Sequence, residues 1–273
     1  MANNEFENAI NNSSLSDKSI TTYTHSYNRL MNYLKSPILN YTEKQIVNII
    51  DKIDAPSMSK NSMLSVVSLV RKDMGLSTEK LTEYRKKLNE NHYENKQKSN
   101  EILKDNLPTL NTLQEFTNQL YKDKKYTDFI INYIMLNFNT RNMDLDLMLI
   151  ADKKLADDSI NYIYATNKYL LYVRNNYKTR DRYGVKKVKI YNANMMRAFQ
   201  ILLQDKTEHT LIETSNLNKF IQDRTFNGIG EGRYVKVVLN DYYKNGNIDG
   251  FKKVSNNRGT SLDILYNDYN IEV

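Results

Sequence analysis

Between Lys168 and Lys189 the chain sets Arg174, Lys178, Arg180, Arg182, Lys186 and Lys187 against a single acid, Asp181, with Tyr169, Tyr172, Tyr177 and Tyr183 interleaved. Cations at this density release counterions from a nucleic-acid backbone, so the stretch reads as a phosphate-contacting surface. Three more segments carry groups suited to phosphodiester chemistry. Asn139-Thr-Arg-Asn-Met-Asp-Leu145 puts Arg141 directly after an apolar run, with Asp144 three residues on. Gly230-Glu-Gly-Arg233 opens a helical pattern, and Asn257-Arg-Gly-Thr-Ser-Leu-Asp-Ile-Leu-Tyr266 follows near the C-terminus. A guanidinium donates paired hydrogen bonds to non-bridging phosphate oxygens. An ammonium can protonate a leaving oxygen, and a phenol in a cationic field becomes a nucleophile.

Each residue also has a plainer reading. Arg141 can pair with Asp144 or Asp146 at a helix start, and Asp144 can be a capping or solvated carboxylate. Lys178 is one of several cations in its stretch, so any role given to it can belong to Arg180 or Arg174, and Tyr266 competes with Tyr269. The basic hairpin can be an edge that uses charge against aggregation. His25, His92 and His209 stand alone, without neighbours at ligand spacing. Asn245, Asn247, Asp249 and Gly250 mimic the start of a calcium loop, but its twelfth position is Asn256, and a helix-to-helix turn fits better. No glycine-rich phosphate loop occurs. Neither a metal nor a cofactor is expected.

The elements that must position these groups follow from periodicity. Residues 1 to 14 are polar and read as frayed. Helical patterns run from Ser16, through Ile46–Ile53, over Met63–Met74 with Gly75 as a cap, and from Thr78 towards Asn91. Residues 94–108, ENKQKSNEILKDNLP, read as a polar linker. Thr112 and Glu115 have the spacing of a capping box. An apolar helix spans Tyr126–Phe138. Ile160–Ala165, Tyr169–Tyr177 and Val185–Ile190 read as three strands, the last two joined by a polar tip at Thr179–Gly184. Helices return at Ala193–Leu203, Leu217–Asp223 and Gly232–Tyr243, with two shorter ones after them.

The composition sets bounds. The chain has 273 residues, enough for two domains, and no Cys, which excludes disulfides, thiolate zinc sites and thiol nucleophiles. A net charge of +7 favours a polyanionic partner. The N-terminus lacks a secretory pattern and no apolar run reaches membrane-spanning length, so an intracellular place is expected, in a host cytoplasm, nucleus or virion.

The order of these features is an arginine, strands with a hairpin lysine, an arginine opening a helix, then a late tyrosine. It resembles the tyrosine recombinases, or phage-type integrases, in the divergent form of large DNA viruses and mobile elements. The stretch from Tyr177-Lys-Thr to Tyr183-Gly184 is most similar to the viral group, and Ser16-Asp-Lys-Ser-Ile-Thr-Thr-Tyr23 resembles the opening of the family's core-binding domain. The resemblance spans nearly the whole chain. It implies an α+β protein: a helical DNA-clamping domain over 1–93, a linker over 94–108, and a mainly α catalytic domain over 109–273 with a small three-stranded antiparallel sheet. It implies Arg141 and Arg233 as the two catalytic arginines, with Asp144 as brace, Lys178 as general acid and Tyr266 as nucleophile. Lys168, Arg174, Arg180, Arg182, Lys186 and Lys187 would contact double-stranded DNA, on which copies would associate. The reaction would pass through a 3′-phosphotyrosine in integration, excision or resolution. Two positions depart from the family: Gly230 stands where a His precedes the second arginine, and Asn257 stands nine residues before Tyr266 where a His or Trp is usual. Arg258 is placed to supply the missing donor. A non-catalytic DNA-binding descendant is the second reading, and a virion structural or protein-interaction role the third.

Overall fold

Apolar residues recur at helical spacing through the first hundred residues, and in the computed structural model they close a helical unit, Met1–Ser99. The structure describes residues 4–104 and 106–269. The first three residues of the expected N-terminal domain and the last four of the C-terminal one lie outside them. Helices α1 (Asn4–Asn11), α2 (Asp17–Met31), α3 (Glu43–Asp51), α4 (Ser57–Asp73) and α5 (Glu79–Lys104) carry Leu30, Ile46, Ile50, Val66, Val70 and Leu81 to full burial. Ser16 caps α2, and Thr42 with Gln45 forms a capping box on α3.

One expectation fails here. Residues 4–11 are helical, not frayed, because Phe6 and Ala9 are buried and Phe6 stacks on Tyr27 with ring centroids 4.2 Å apart. Residues 94–104, read as part of a linker, continue α5 as helix, and the division between the two units falls among them, after Ser99. Their Glu, Lys, Gln and Leu are good helix formers, and the first breaker is Pro108.

The second unit, Asn100–Val273, is α+β. After α6 (Leu110–Lys122) and α7 (Tyr126–Phe138) come β1 (Leu147–Ile150), β2 (Asn161–Ala165), β3 (Leu170–Arg174), the short α8 (Arg180–Tyr183) and β4 (Lys186–Ile190). Then follow α9 (Ala193–Leu202), β5 (Glu208–Thr210), α10 (Leu217–Asp223), α11 (Glu231–Lys244), α12 (Ile248–Arg258) and α13 (Leu262–Tyr269). Thr109, not Thr112, caps α6: its hydroxyl accepts from the Thr112 N–H at 3.1 Å, while Glu115 is held by the Asn111 amide.

The sheet has five strands in the order β4-β3-β2-β1-β5, in place of the three expected. The three read from sequence are its antiparallel part, β2, β3 and β4. To them β1 adds in parallel with β2, and β5 pairs antiparallel with β1. One face of the sheet supplies Leu149, Ile163, Leu170, Tyr172 and Ile190 to the main core, against α7, α9 and α11. The other face holds a small cluster of Ile150, Tyr162 and Val173. Residues 245–247 form the turn from α11 to α12, as expected of the calcium-loop mimic.

Candidate active site

The chain leaves α7 through Asn139, in the left-handed conformation at φ 50°, and turns through Thr140 and Arg141 into a 3-10 turn at Asn142–Leu145. Asp144 on this turn is fully buried. Its backbone carbonyl accepts from the Tyr172 hydroxyl at 2.6 Å, and its carboxylate accepts from the Arg141 N–H at 3.2 Å. Buried Asn161, at the start of β2, ties the turn to the β3–β4 connection. Its amide donates to the carbonyls of Asp146 and Asn176, and its oxygen accepts from the Asn176 N–H.

Around that turn four cations gather. Arg174, at the end of β3 and 1% exposed, pairs with Asp144 at 3.0 Å. Lys186 opens β4 directly across the ladder from Arg174. Arg141 donates to the Arg258 carbonyl at 2.5 Å and to the Thr260 hydroxyl at 2.8 Å. Arg258, 1% exposed, donates to the carbonyls of Asn139 and Thr140, pairs with Glu231 at 3.0 Å, and reaches the Tyr269 hydroxyl at 3.3 Å. The second Glu231 oxygen takes the Asn142 N–H. Four cations thus face two carboxylates, Asp144 and Glu231.

This surplus is felt in the protonation equilibria. Burial, then the Arg174 and Arg141 charges, hold the Lys186 ammonium down at about 8, with Asp144 opposing. Burial and then Arg258 lower the Arg141 guanidinium below its ordinary value. Burial lifts the Asp144 carboxyl, with Arg174 the main opposing influence. Lys186 also donates to the carbonyls of Asn256 and Asn257, so the exposed end of α12 is capped by this cation.

Buried polar atoms are almost always hydrogen-bonded, so a concentration of exceptions marks a place built for something besides folding. Among the described residues, unpartnered buried atoms on Thr140, Asn142, Asp144, Arg174, Asn257 and Arg258 all belong to this cluster. Thr179 adds another from the connection between β3 and β4. That connection is closed by the Tyr177 hydroxyl on the Gly184 carbonyl at 2.7 Å. It rests on Gly259, where a side chain would strike Thr179 and come within 3.1 Å of the Tyr183 ring.

The expected site residues divide. Arg141, Asp144 and Arg258 meet in the cluster. Lys178 is exposed beside Thr179, on the connection that abuts Gly259. Arg174 and Lys186, expected on a DNA-facing surface, lie inside the cluster, and the buried Arg174 is committed to Asp144. Arg180 and Arg182 are exposed on α8, and Lys187 is exposed on the opposite sheet face from Lys186. Lys168 lies in the β2–β3 turn, at the far end of the ladder from Arg174 and Lys186.

Arg233 and Tyr266 are not brought into the cluster. Two residues along a helix is a rotation of about 200°. With Glu231 facing Arg258, Arg233 projects the other way, into a groove lined by Asn106, Pro108, Thr112 and Asn227. Tyr266 is 43% exposed and stacks on Phe251, with centroids 5.1 Å apart. Buried Leu265 and Tyr269 share the inward stripe of α13, so the hydroxyl at Arg258 is that of Tyr269. Glu231 and Thr260 carried no signal in the sequence beyond lying within the quoted segments. No family model, curated protein or solved structure matches the chain.

Proposed function

We propose that the chain binds duplex DNA at this cluster and breaks and rejoins one strand through a 3′-phosphotyrosine on Tyr269, as a protein of tyrosine recombinase type. The observation that carries the reading is the two-charge cationic surplus around Asp144, with a tyrosine hydroxyl at 3.3 Å from one of its guanidiniums. In this reading Arg141 and Arg258 bind the non-bridging oxygens, replacing their present carbonyl and hydroxyl partners. The Tyr269 oxygen, having released its proton to solvent, attacks phosphorus as the bond to the 5′ oxygen breaks. The leaving oxygen takes its proton from Lys186, whose pKa of about 8 suits a donor near neutral pH. Lys178, on the adjoining connection, is the alternative donor. With Tyr269 as nucleophile, the residue nine places earlier is Thr260, so the position where the family usually has His or Trp holds the hydroxyl that accepts from Arg141. The α+β unit, with three consecutive antiparallel strands and a late helix bearing the tyrosine, supports the family's catalytic fold.

The outward direction of Arg233 and the missing side chain at Gly230 favour a second reading, a DNA-binding descendant without catalysis. One experiment separates the two. The protein is incubated with a library of nicked suicide duplexes, and covalent adducts are resolved on denaturing gels. The expected result is an adduct with the unchanged protein and with Tyr266→Phe, and none with Tyr269→Phe. Salt-sensitive binding without an adduct selects the second reading, and loss of both removes the two together.

A further inference from the structure

The sheet face turned away from the cluster carries a pattern that the proposed chemistry does not use. Two rows cross it: Met148, Tyr162, Val173 and Lys187, then Ile150, Tyr164, Leu171 and Lys189. Near β1 this face is closed, with Ile150, Tyr162 and Val173 buried and Ala156 of the β1–β2 connection packed against them. Towards β4 the cover ends. Tyr164, Tyr169 and Leu171 are half-buried, Lys187 and Lys189 are exposed, and Tyr191 is 66% exposed. The Tyr169 and Tyr191 rings lie 5.5 Å apart, and the Lys189 Nζ sits 5.0 Å from the Tyr169 centroid. Beyond Lys189 the sheet ends, because β4 is an edge strand.

Lysines on an edge strand guard against unwanted strand pairing, which explains Lys187 and Lys189 but not the exposed rings beside them. Aromatic faces bordered by ammonium groups suit a different task, since unpaired bases stack on the rings while the cations take the phosphates. Charge agrees. From Asn161 to Tyr191 the chain has eight Lys and Arg against one Asp, so an acidic strand meets almost no repulsion. A duplex offers no free base faces to such rings. We propose that this outer face is a second nucleic-acid surface, which takes a single strand by stacking its unpaired bases on Tyr164, Tyr169 and Tyr191 with Lys187 and Lys189 on its phosphates. Lying across the sheet from Lys186, it stands independently of the strand-transfer reading.

The test is fluorescence anisotropy on the full chain at low salt. The probes are labelled oligothymidylate of about 16 nucleotides, the upper end of a single-domain footprint, and a duplex of equal length. Tyr191→Ala and Tyr169→Ala should each weaken single-strand binding about fivefold or more. Tyr191→Phe, which keeps the ring, should bind as the unchanged protein does. Duplex binding should not respond to the tyrosine changes. Arg258→Lys, in the cluster, should leave single-strand binding in place. The proposal is overturned if the oligothymidylate does not bind, or if Tyr191→Ala binds it unchanged. It is equally overturned if Arg258→Lys abolishes strand binding, or if polyglutamate competes as well as the strand and responds to Tyr191→Ala in the same way. The last result would assign the face to an acidic peptide.

Discussion

Lys186 and Arg174 are directly opposed across β3 and β4, an arrangement of like charges that costs a sheet stability. Burial first, and then this Arg174 charge, hold the Lys186 pKa down at about 8, and the sign of that shift fixes two pH effects. In the unfolded chain this lysine holds its proton to about 10.4. Between roughly 8 and 10 the unfolded state therefore binds more protons, and the contribution of Lys186 to stability rises with pH across that window. In Lys186→Met this rise should be missing from urea melts recorded at successive pH values. DNA affinity should move the other way and fall above about 8 as the ammonium is lost, which binding titrations at constant ionic strength would detect. The two arginines near Glu231 give a contrast at the same scale. Arg233→Ala should change stability by no more than about 0.5 kcal/mol and leave adduct formation intact. Arg258→Ala strands Glu231 and two carbonyls, at about 3 kcal/mol or more.

Helix ends and strand registers decide which of these side chains meet. Gly259 closes α12 at φ +59°, with Thr179 and Tyr183 against it. Gly259→Ala should cost at least about 1–2 kcal/mol in denaturant unfolding, from the left-handed backbone alone. Gly232, inside α11, meets only the Tyr269 ring at 4.0 Å, so Gly232→Ala should be tolerated or gain up to about 1 kcal/mol. Sequence periodicity reveals the long apolar elements well: α7, α10 and the strands β2 to β4 stand within a few residues of where alternation and helical spacing put them. Short or polar elements escape it. Leu147–Ile150 is four apolar residues that fit a helix or a strand equally, and Glu208–Thr210 is too short and polar to show a pattern. Asn95 to Lys104 has helix-forming residues but little apolar spacing, and α5 runs through it nonetheless. At the site, motif order pointed to Arg141 and Asp144 because both sit beside a strong element boundary. Tyr266 and Tyr269 differ only in helix face, and adjacent Lys186 and Lys187 only in strand face, so tertiary burial decides between them.

Over the whole chain the 31 residues from Asn161 to Tyr191 hold a positive surplus of seven, equal to the net charge of the entire protein. The remainder is balanced. Association with DNA should therefore depend steeply on salt through this one segment. Neutralising exposed Lys178, Arg180 and Arg182 together should flatten the plot of log affinity against log salt by about 0.9 for each phosphate contact removed. An unchanged slope would place the phosphate contacts elsewhere. The surplus cations are spread along the chain in an order that matters during synthesis. Arg141, Arg174 and Lys186 are translated early, whereas the guanidinium that binds the Asn139 and Thr140 carbonyls comes from residue 258. A nascent chain that has emerged only as far as α11 has its strands and three of its charges, but neither that guanidinium nor Tyr269. On the strand-transfer proposal such a chain is silent on the ribosome, and competence waits until α12 and α13 have both docked.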